Sequence, residues 1–319
     1  MEFAYIFPGQ GSQSIGMMGD LSKRYPEVRQ IFELGSDTLQ QDLWKLVSSG
    51  PEVELNRTEN TQPAMLCACV AVHRIFRALY PAAPLMTAGH SFGEYTALTC
   101  TGALDFKAAL SLARYRGRVM QQAVPEGKGA MAAVLGLESH ALDDICRLSS
   151  RGEEVVEAVN FNAPGQIVIA GSRAAVARGM VAAKSAGAKR CVLLPLSVPS
   201  HSTLMKPAAE RLRTYLHDVA IHPPRTEVVQ NADVRAYHSE HDIKDALYRQ
   251  LYSPVRWVET IQYMISKGVQ ILIELGPGRV LTGFSKRIDR AISGYCIHDL
   301  KSLDQTLERL HEQRAMEPA

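Results

Sequence analysis

The sequence predicts an α/β protein in which a small βαββαβ unit is inserted into a larger α/β domain. Three observations carry that reading. Short β-like runs alternate with helical ones along the chain. The stretch 125–196 has its own rhythm of strands and helices, the ferredoxin-like pattern. Ser91 stands between two glycines, in "GHSFGEY", where a β-like run gives way to a helical one. With 319 residues, 46% of them hydrophobic, the chain can bury one large core or two linked ones.

Taken in order, "EFAYIF" reads as the first strand, and "PAMLCACVAVHRIF" as a helix. "PLMTAGHS" is a strand leading to Ser91, followed by the helical "EYTALTCTGAL" and then "FKAALSLARYRGRVMQQA". In the inserted unit, Gly129 to Leu137 reads as strand, Ser139 to Ser149 as helix, Glu154 to Asn160 and Gln166 to Ala170 as strands. Ser172 to Ala186 then reads as helix and Lys189 to Leu196 as strand. Prolines at 125 and 195 mark the insertion points, giving a large domain of 1–124 plus 197–319 and a small one of 125–196. "TEVVQNA" and "VQILIELGP" return to the large domain as strands, and the C-terminal "KSLDQTLERLHEQRAMEPA" reads as a helix with a loose tail. No internal repeat or low-complexity tract interrupts this order.

The formal net charge of +2 gives no case for nucleic acid, and no basic run exceeds a pair such as Lys189-Arg190 or Lys286-Arg287. A pI of about 8.2 leaves room for a moderately acidic protein partner. The N-terminus has the features of neither a signal peptide nor a membrane anchor, so a cytoplasmic location is expected. Six scattered cysteines, mostly in apolar runs, suit reduced core residues. The close pair Cys67 and Cys69 falls in a helix-like segment, where each acts as a small hydrophobe.

G-x-S-x-G between strand and helix is a nucleophile elbow, although a glycine-rich turn with Ser91 as a helix cap has the same spelling. A serine nucleophile needs a base. Most of the ten histidines lie in polar or helical contexts that suit solvated residues, and His90, beside Ser91, is expected to point its ring away from the site. His201, in "SVPSHSTLMKPAAERL", stands at an expected helix start that Ser200 is placed to cap. A helix N-terminus would keep the imidazole neutral, but a merely polar helix-start histidine fits that stretch equally. Arg116 projects from the apolar face of its helix, where it is either half of an internal ion pair or a fork for a substrate carboxylate. The turn "FPGQGSQSIG" fails the dinucleotide fingerprint at its third glycine and lacks a phosphate-loop lysine. Such a turn can instead bring one backbone N–H to an oxyanion hole, the other being that of Phe92.

The segments "FPGQGSQ", "GHSFGEY", "RGRVMQQAVPEGKGAMAAVLG", "NFNAPGQIVIAG", "LPLSVPSHSTLMKPAAERL", "QLYSPVRW" and "ELGPGRVLTGFSKRI" together resemble the malonyl-CoA:acyl carrier protein transacylases of bacterial fatty acid synthesis. The resemblance runs in order to about residue 300. It implies an α/β-hydrolase-like core with the ferredoxin-like insertion, Ser91 as acyl acceptor, and His201 as general base and acid. It also implies Gln10 and Phe92 as backbone oxyanion donors and Arg116 as holder of the malonyl carboxylate. Gln250 would orient the histidine through its main-chain carbonyl, and Gln62 would support Arg116. Phe92 departs from the leucine commonest after the nucleophile, which bears on pocket shape. The implied partners are malonyl-CoA, CoA and acyl carrier protein, with no metal, no cofactor, no membrane and a monomeric state. Within the family, supply of a polyketide synthase is the alternative to fatty acid synthesis. Outside it stand an esterase, which would expect an acidic triad member and an HGGG-type loop, and a non-catalytic carrier-docking module.

Overall fold

The computed structural model describes residues 2–125 and 127–315. Among them are ten strands: β1 (Phe3–Phe7), β2 (Met86–Gly89), β3 (Gly129–Leu135), β4 (Val156–Ala163), β5 (Gln166–Ser172), β6 (Arg190–Leu193), β7 (Glu227–Gln230), β8 (Arg235–Ala236), β9 (Ile271–Leu275) and β10 (Ser293–Ile297). The helices that bear on the site are α1 (Thr58–Leu79), α2 (Gly93–Cys100), α3 (Phe106–Ala123), α4 (Ser139–Ser149), α5 (Arg173–Ser185), α6 (Lys206–His217), α7 (Glu240–Gln250) and the C-terminal α8 (Leu300–Ala315).

Six strands form one sheet in the order β10-β9-β1-β2-β7-β8, parallel except for the short edge strand β8. The alternation of β1 explains why it sits at the centre. Phe3, Tyr5 and Phe7 enter the core under the helices on one face, while Ala4 and Ile6 enter a second core on the other. A parallel sheet covered on both faces brings its loops to the carboxyl ends of the strands, where both glycine-rich turns lie.

The other sheet, β4-β5-β3-β6, is antiparallel and carries α4 and α5 on one face. Along β3, Ala130, Ala132 and Val134 face those helices. Met131 faces the opposite way with Val159, Val168 and Ala170, and Met131 and Val168 line the cavity described below. The small sheet thus supplies one wall of the site.

Several expected elements differ in extent. The strand after Lys189 stops at Leu193, ahead of Pro195. The strand expected from Gly129 to Leu137 ends at Leu135, because Gly136 turns the chain at φ +92°. Strand β4 runs on to Ala163, and β8 and β10 have no counterpart in the sequence reading. The C-terminal helix is present, whereas the tail 316–319 lies outside the described residues. All six cysteines are free thiols. No helix among the described residues is long and apolar enough to cross a membrane.

Candidate active site

The elbow is formed by close packing. Ser91 adopts φ +52°, in the left-handed region. A side chain at Gly93 would place Cβ 2.1 Å from the Phe7 carbonyl oxygen, and one at Gly89 would place it 1.8 Å from the Gly93 backbone. The two glycines therefore let β1, β2 and the start of α2 converge. Gly9 approaches from the other turn, since a Cβ there would lie 2.5 Å from the His90 carbonyl oxygen and 3.6 Å from the Phe92 nitrogen. This approach places Gln10 beside Phe92 on the wall of a cavity of about 180 Å³ that also holds Ser91, His201 and Arg116. Among the described residues, neither the Gln10 nor the Phe92 backbone N–H is matched to an acceptor. Both are available to a developing oxyanion.

His201 Nε2 lies 2.6 Å from Ser91 Oγ, and its Nδ1 lies 2.8 Å from the Gln250 carbonyl oxygen. A carbonyl only accepts, so Nδ1 carries the proton and Nε2 is left as the acceptor for the serine hydroxyl. The serine and the histidine lie 110 residues apart in sequence. Burial, and next the nearby Arg116 cation, push the His201 pKa down to about 3. The ring is neutral for that reason and not because of a helix start. His201 sits at φ +66° in a turn, ahead of the 3₁₀ segment Thr203–Met205, and α6 begins only at Lys206. The Ser200 hydroxyl reaches back to the Val198 carbonyl and caps nothing.

Arg116 is 1% exposed, on the buried side of α3, a helix that Asp105 caps through the N–H groups of Lys107 and Ala108. Its guanidinium packs over the Tyr95 ring at 5.2 Å and the Phe92 ring at 5.9 Å, and these two rings stack on each other. Nη2 donates to Gln250 Oε1 at 3.0 Å, and Nε has no partner among the described residues. The internal ion pair that the sequence left open is not formed among the described residues. The Phe92 ring accordingly belongs to the floor beneath Arg116. Gln62 lines the same cavity without bonding Arg116, its Nε2 resting 3.7 Å from the Met120 sulfur.

Gln250 has a second part besides its carbonyl. Its side-chain Nε2 donates to the Ser91 carbonyl oxygen at 3.0 Å and to Glu94 Oε2 at 2.9 Å. Glu94 and Asn231, both fully buried, were not singled out from the sequence. The Asn231 backbone N–H donates to Glu94 Oε2, its side-chain Oδ1 accepts the Ser91 N–H, and its Nδ2 donates to the Gly89 carbonyl. The available signals were an acid three residues after the serine, one helical turn along, and an amide ending an apolar strand. Neither discloses a partner far away in sequence. His90 does not turn from the site: it lines the cavity, bonds Asn162 Oδ1 at 2.7 Å and meets the Trp257 ring edge-on. His73, expected to be solvated, packs against Tyr5 and Phe7, and burial pushes its pKa down to about 4.

The sequence profile described as "Acyl transferase domain" matches residues 4–293. A malonyl CoA-acyl carrier protein transacylase of Haemophilus influenzae is 50% identical over 310 residues, covering 97% of this chain and 99% of that protein. An acyl carrier protein S-malonyltransferase structure from Vibrio cholerae superposes with a TM-score of 0.93 at 51% identity, covering 96% of this chain and all of that one. A malonyl-transacylase solved in complex with its type II PKS acyl-carrier protein gives a TM-score of 0.95 at 50% identity, with 97% and 100% coverage. With a free serine–histidine dyad and an unpaired buried arginine in one cavity, and with likeness over nearly its whole length, the chain belongs to the acyl transferase domain family, among the malonyl CoA-acyl carrier protein transacylases.

Proposed function

We propose that this protein moves a malonyl group from malonyl-CoA to the phosphopantetheine thiol of an acyl carrier protein, through an ester on Ser91, in the cytoplasm and as a monomer. The observation that carries this reading is the dyad at 2.6 Å in the same cavity as a buried guanidinium that no carboxylate bonds directly among the described residues. Ser91 Oγ attacks the thioester carbonyl while His201 Nε2 takes its proton. The tetrahedral oxyanion is held by the N–H groups of Gln10 and Phe92, and its collapse expels CoA, whose thiolate receives the proton back from His201. The carrier thiol then gives its proton to His201 and attacks the ester, and Ser91 leaves reprotonated. Throughout, Arg116 pairs with the free carboxylate of the malonyl group. None of these steps calls for a metal or cofactor.

Intact-mass measurement tests this scheme. Malonyl-CoA alone should place one malonyl group on the protein, and added carrier protein should remove it and become malonylated. Steady release of free malonate without the carrier would instead favour an esterase. The likeness to a transacylase bound to a type II PKS carrier raises a second reading, supply of polyketide extension. Comparing transfer rates to fatty acid and polyketide carriers separates the two, and we place the protein with the former.

Arg116→Ala should lower the preference for malonyl-CoA over acetyl-CoA by roughly tenfold or more, the scale of a lost charge-assisted pairing. Unchanged relative kcat/KM values would remove Arg116 from substrate recognition. Phe92→Leu should cost about 1 kcal/mol in denaturant titration, because a buried ring is trimmed, while Ser91 acylation stays within a few-fold. Only the backbone N–H at residue 92 is needed for the oxyanion, so a loss of 100-fold would assign the ring itself a part in acylation.

A further inference from the structure

We propose that Glu94 is the resident counter-ion of Arg116, held one amide away by Gln250, and that this arrangement sets how strongly the site favours a carboxylated acyl group over a neutral one. The proposal rests on the reading of Arg116 as the carboxylate holder, and it adds a residue that touches neither the substrate nor the reacting atoms.

The hydrogen bonds fix the relay. Gln250 Nε2 faces the Ser91 carbonyl, which only accepts, and Glu94 Oε2, while the guanidinium on its other side only donates, so Oε1 must turn to Arg116. A flipped amide would aim its NH₂ at a guanidinium, donor against donor. Glu94 Oε2 accepts twice, from Asn231 and Gln250, and Oε1 has no partner among the described residues. A direct Glu–Arg pair would occupy the guanidinium edge that a substrate needs. Placing the acid beyond an amide leaves that edge open while still supplying, in its ionised form, a negative charge near a buried cation.

The surrounding charges leave Glu94 as the acid that senses Arg116. From α3 comes Arg116 itself, and from the stretch after β7 comes Asp233, which Arg249 neutralises through two hydrogen bonds of 2.6 Å. Its own helix adds Tyr95, whose phenol burial keeps neutral, and across Ser91 stands the neutral His201. Strand β2 has no titratable side chain, and the one on β1, Tyr5, faces His73 on α1.

When a carboxylated acyl group docks, two carboxylates share one guanidinium in a dry site, and the cost depends on whether Glu94 is ionised. Burial pushes its carboxyl up to about 7, against the pull of its hydrogen bonds and of Arg116. Below that pH Glu94 is neutral and does not repel the substrate; above it the carboxylate does. Preference for the carboxylated acyl group therefore falls as pH rises.

The test is the ratio of kcat/KM for malonyl-CoA to that for acetyl-CoA between pH 6 and 8.5, in which the shared CoA phosphates cancel. For the wild type the ratio should fall about fivefold across this range. In Glu94→Gln, whose carbonyl can accept the same two hydrogen bonds without charge, the ratio should be flat and near the wild-type low-pH value. A flat wild-type ratio, or an unchanged slope in Glu94→Gln, overturns the proposal. Should Glu94→Gln fail to fold, as judged by its thermal transition, Glu94→Asp must shift the inflection, and an unshifted one is equally fatal. Arg116→Ala run alongside distinguishes the two levels: retained malonyl preference there refutes the carboxylate-holding reading itself, whereas lost preference with a pH-independent wild type refutes only the part given to Glu94.

Discussion

Replacing Ser91 by alanine is expected to abolish malonyl transfer, with kcat lowered by a factor on the order of 10⁴ or more and no adduct on the protein. The scheme is a double displacement, so the serine oxygen holds the acyl group between the departure of one thiol and the arrival of the next. Alanine removes that oxygen while the remaining site can still bind substrate. The backbone should tolerate the change, because the left-handed turn is held by the Asn231 side chain and the two glycines and not by the serine hydroxyl. A thermal transition close to wild type together with lost transfer would place the loss in chemistry. Transfer at near wild-type rate would remove Ser91 from the mechanism.

His201→Ala should slow acylation of Ser91 by a factor on the order of 10² to 10⁴, since no other base lies within hydrogen-bond reach of the serine hydroxyl among the described residues. The pH profile is the more specific check. A solvated histidine would lose its basic form as pH falls through about 6.5. His201, with its pKa lowered to about 3, keeps Nε2 unprotonated through pH 6.5 and well below it. Acylation by acetyl-CoA, which lacks the carboxylate that Glu94 would sense, should therefore show no inflection near 6.5 in single-turnover measurements. An inflection there would mean that solvent reaches the ring during turnover. The partner on Nδ1 is a neutral carbonyl, so the imidazolium formed in each step lacks the carboxylate of a serine protease triad. Attack on a thioester, whose leaving group is a good one, can proceed with that weaker support.

Much of the fold was legible because its signals are local. The period-two pattern of β1, the glycine turns and the strand–helix rhythm of the inserted unit are set by residues close in sequence, and the helix Ser139–Ser149 was placed to the residue. Strands β8 and β10 were not, since a two-residue edge strand and a half-buried run carry little pattern. His201 shows the limit most plainly. Local sequence leaves it evenly balanced between base and polar helix-start residue, and only the resemblance singles it out. The helix start expected to keep it neutral is absent, and burial and the approach of Arg116, which do so instead, are properties of the assembled core.

By itself the sequence determined the α/β class, the elbow around Ser91, the family and the three side chains, Ser91, His201 and Arg116, to which the proposed reaction is assigned. Those are matters of local pattern and of residue type in a recognisable order. Only the tertiary structure decided that Arg116 bonds no carboxylate directly among the described residues, that the Gln250 side chain joins Arg116, Ser91 and Glu94, and that a buried carboxyl sits behind Arg116. Each of these depends on which polar groups meet once water is excluded. Segments more than a hundred residues apart supply the partners, so no window along the chain contains the answer.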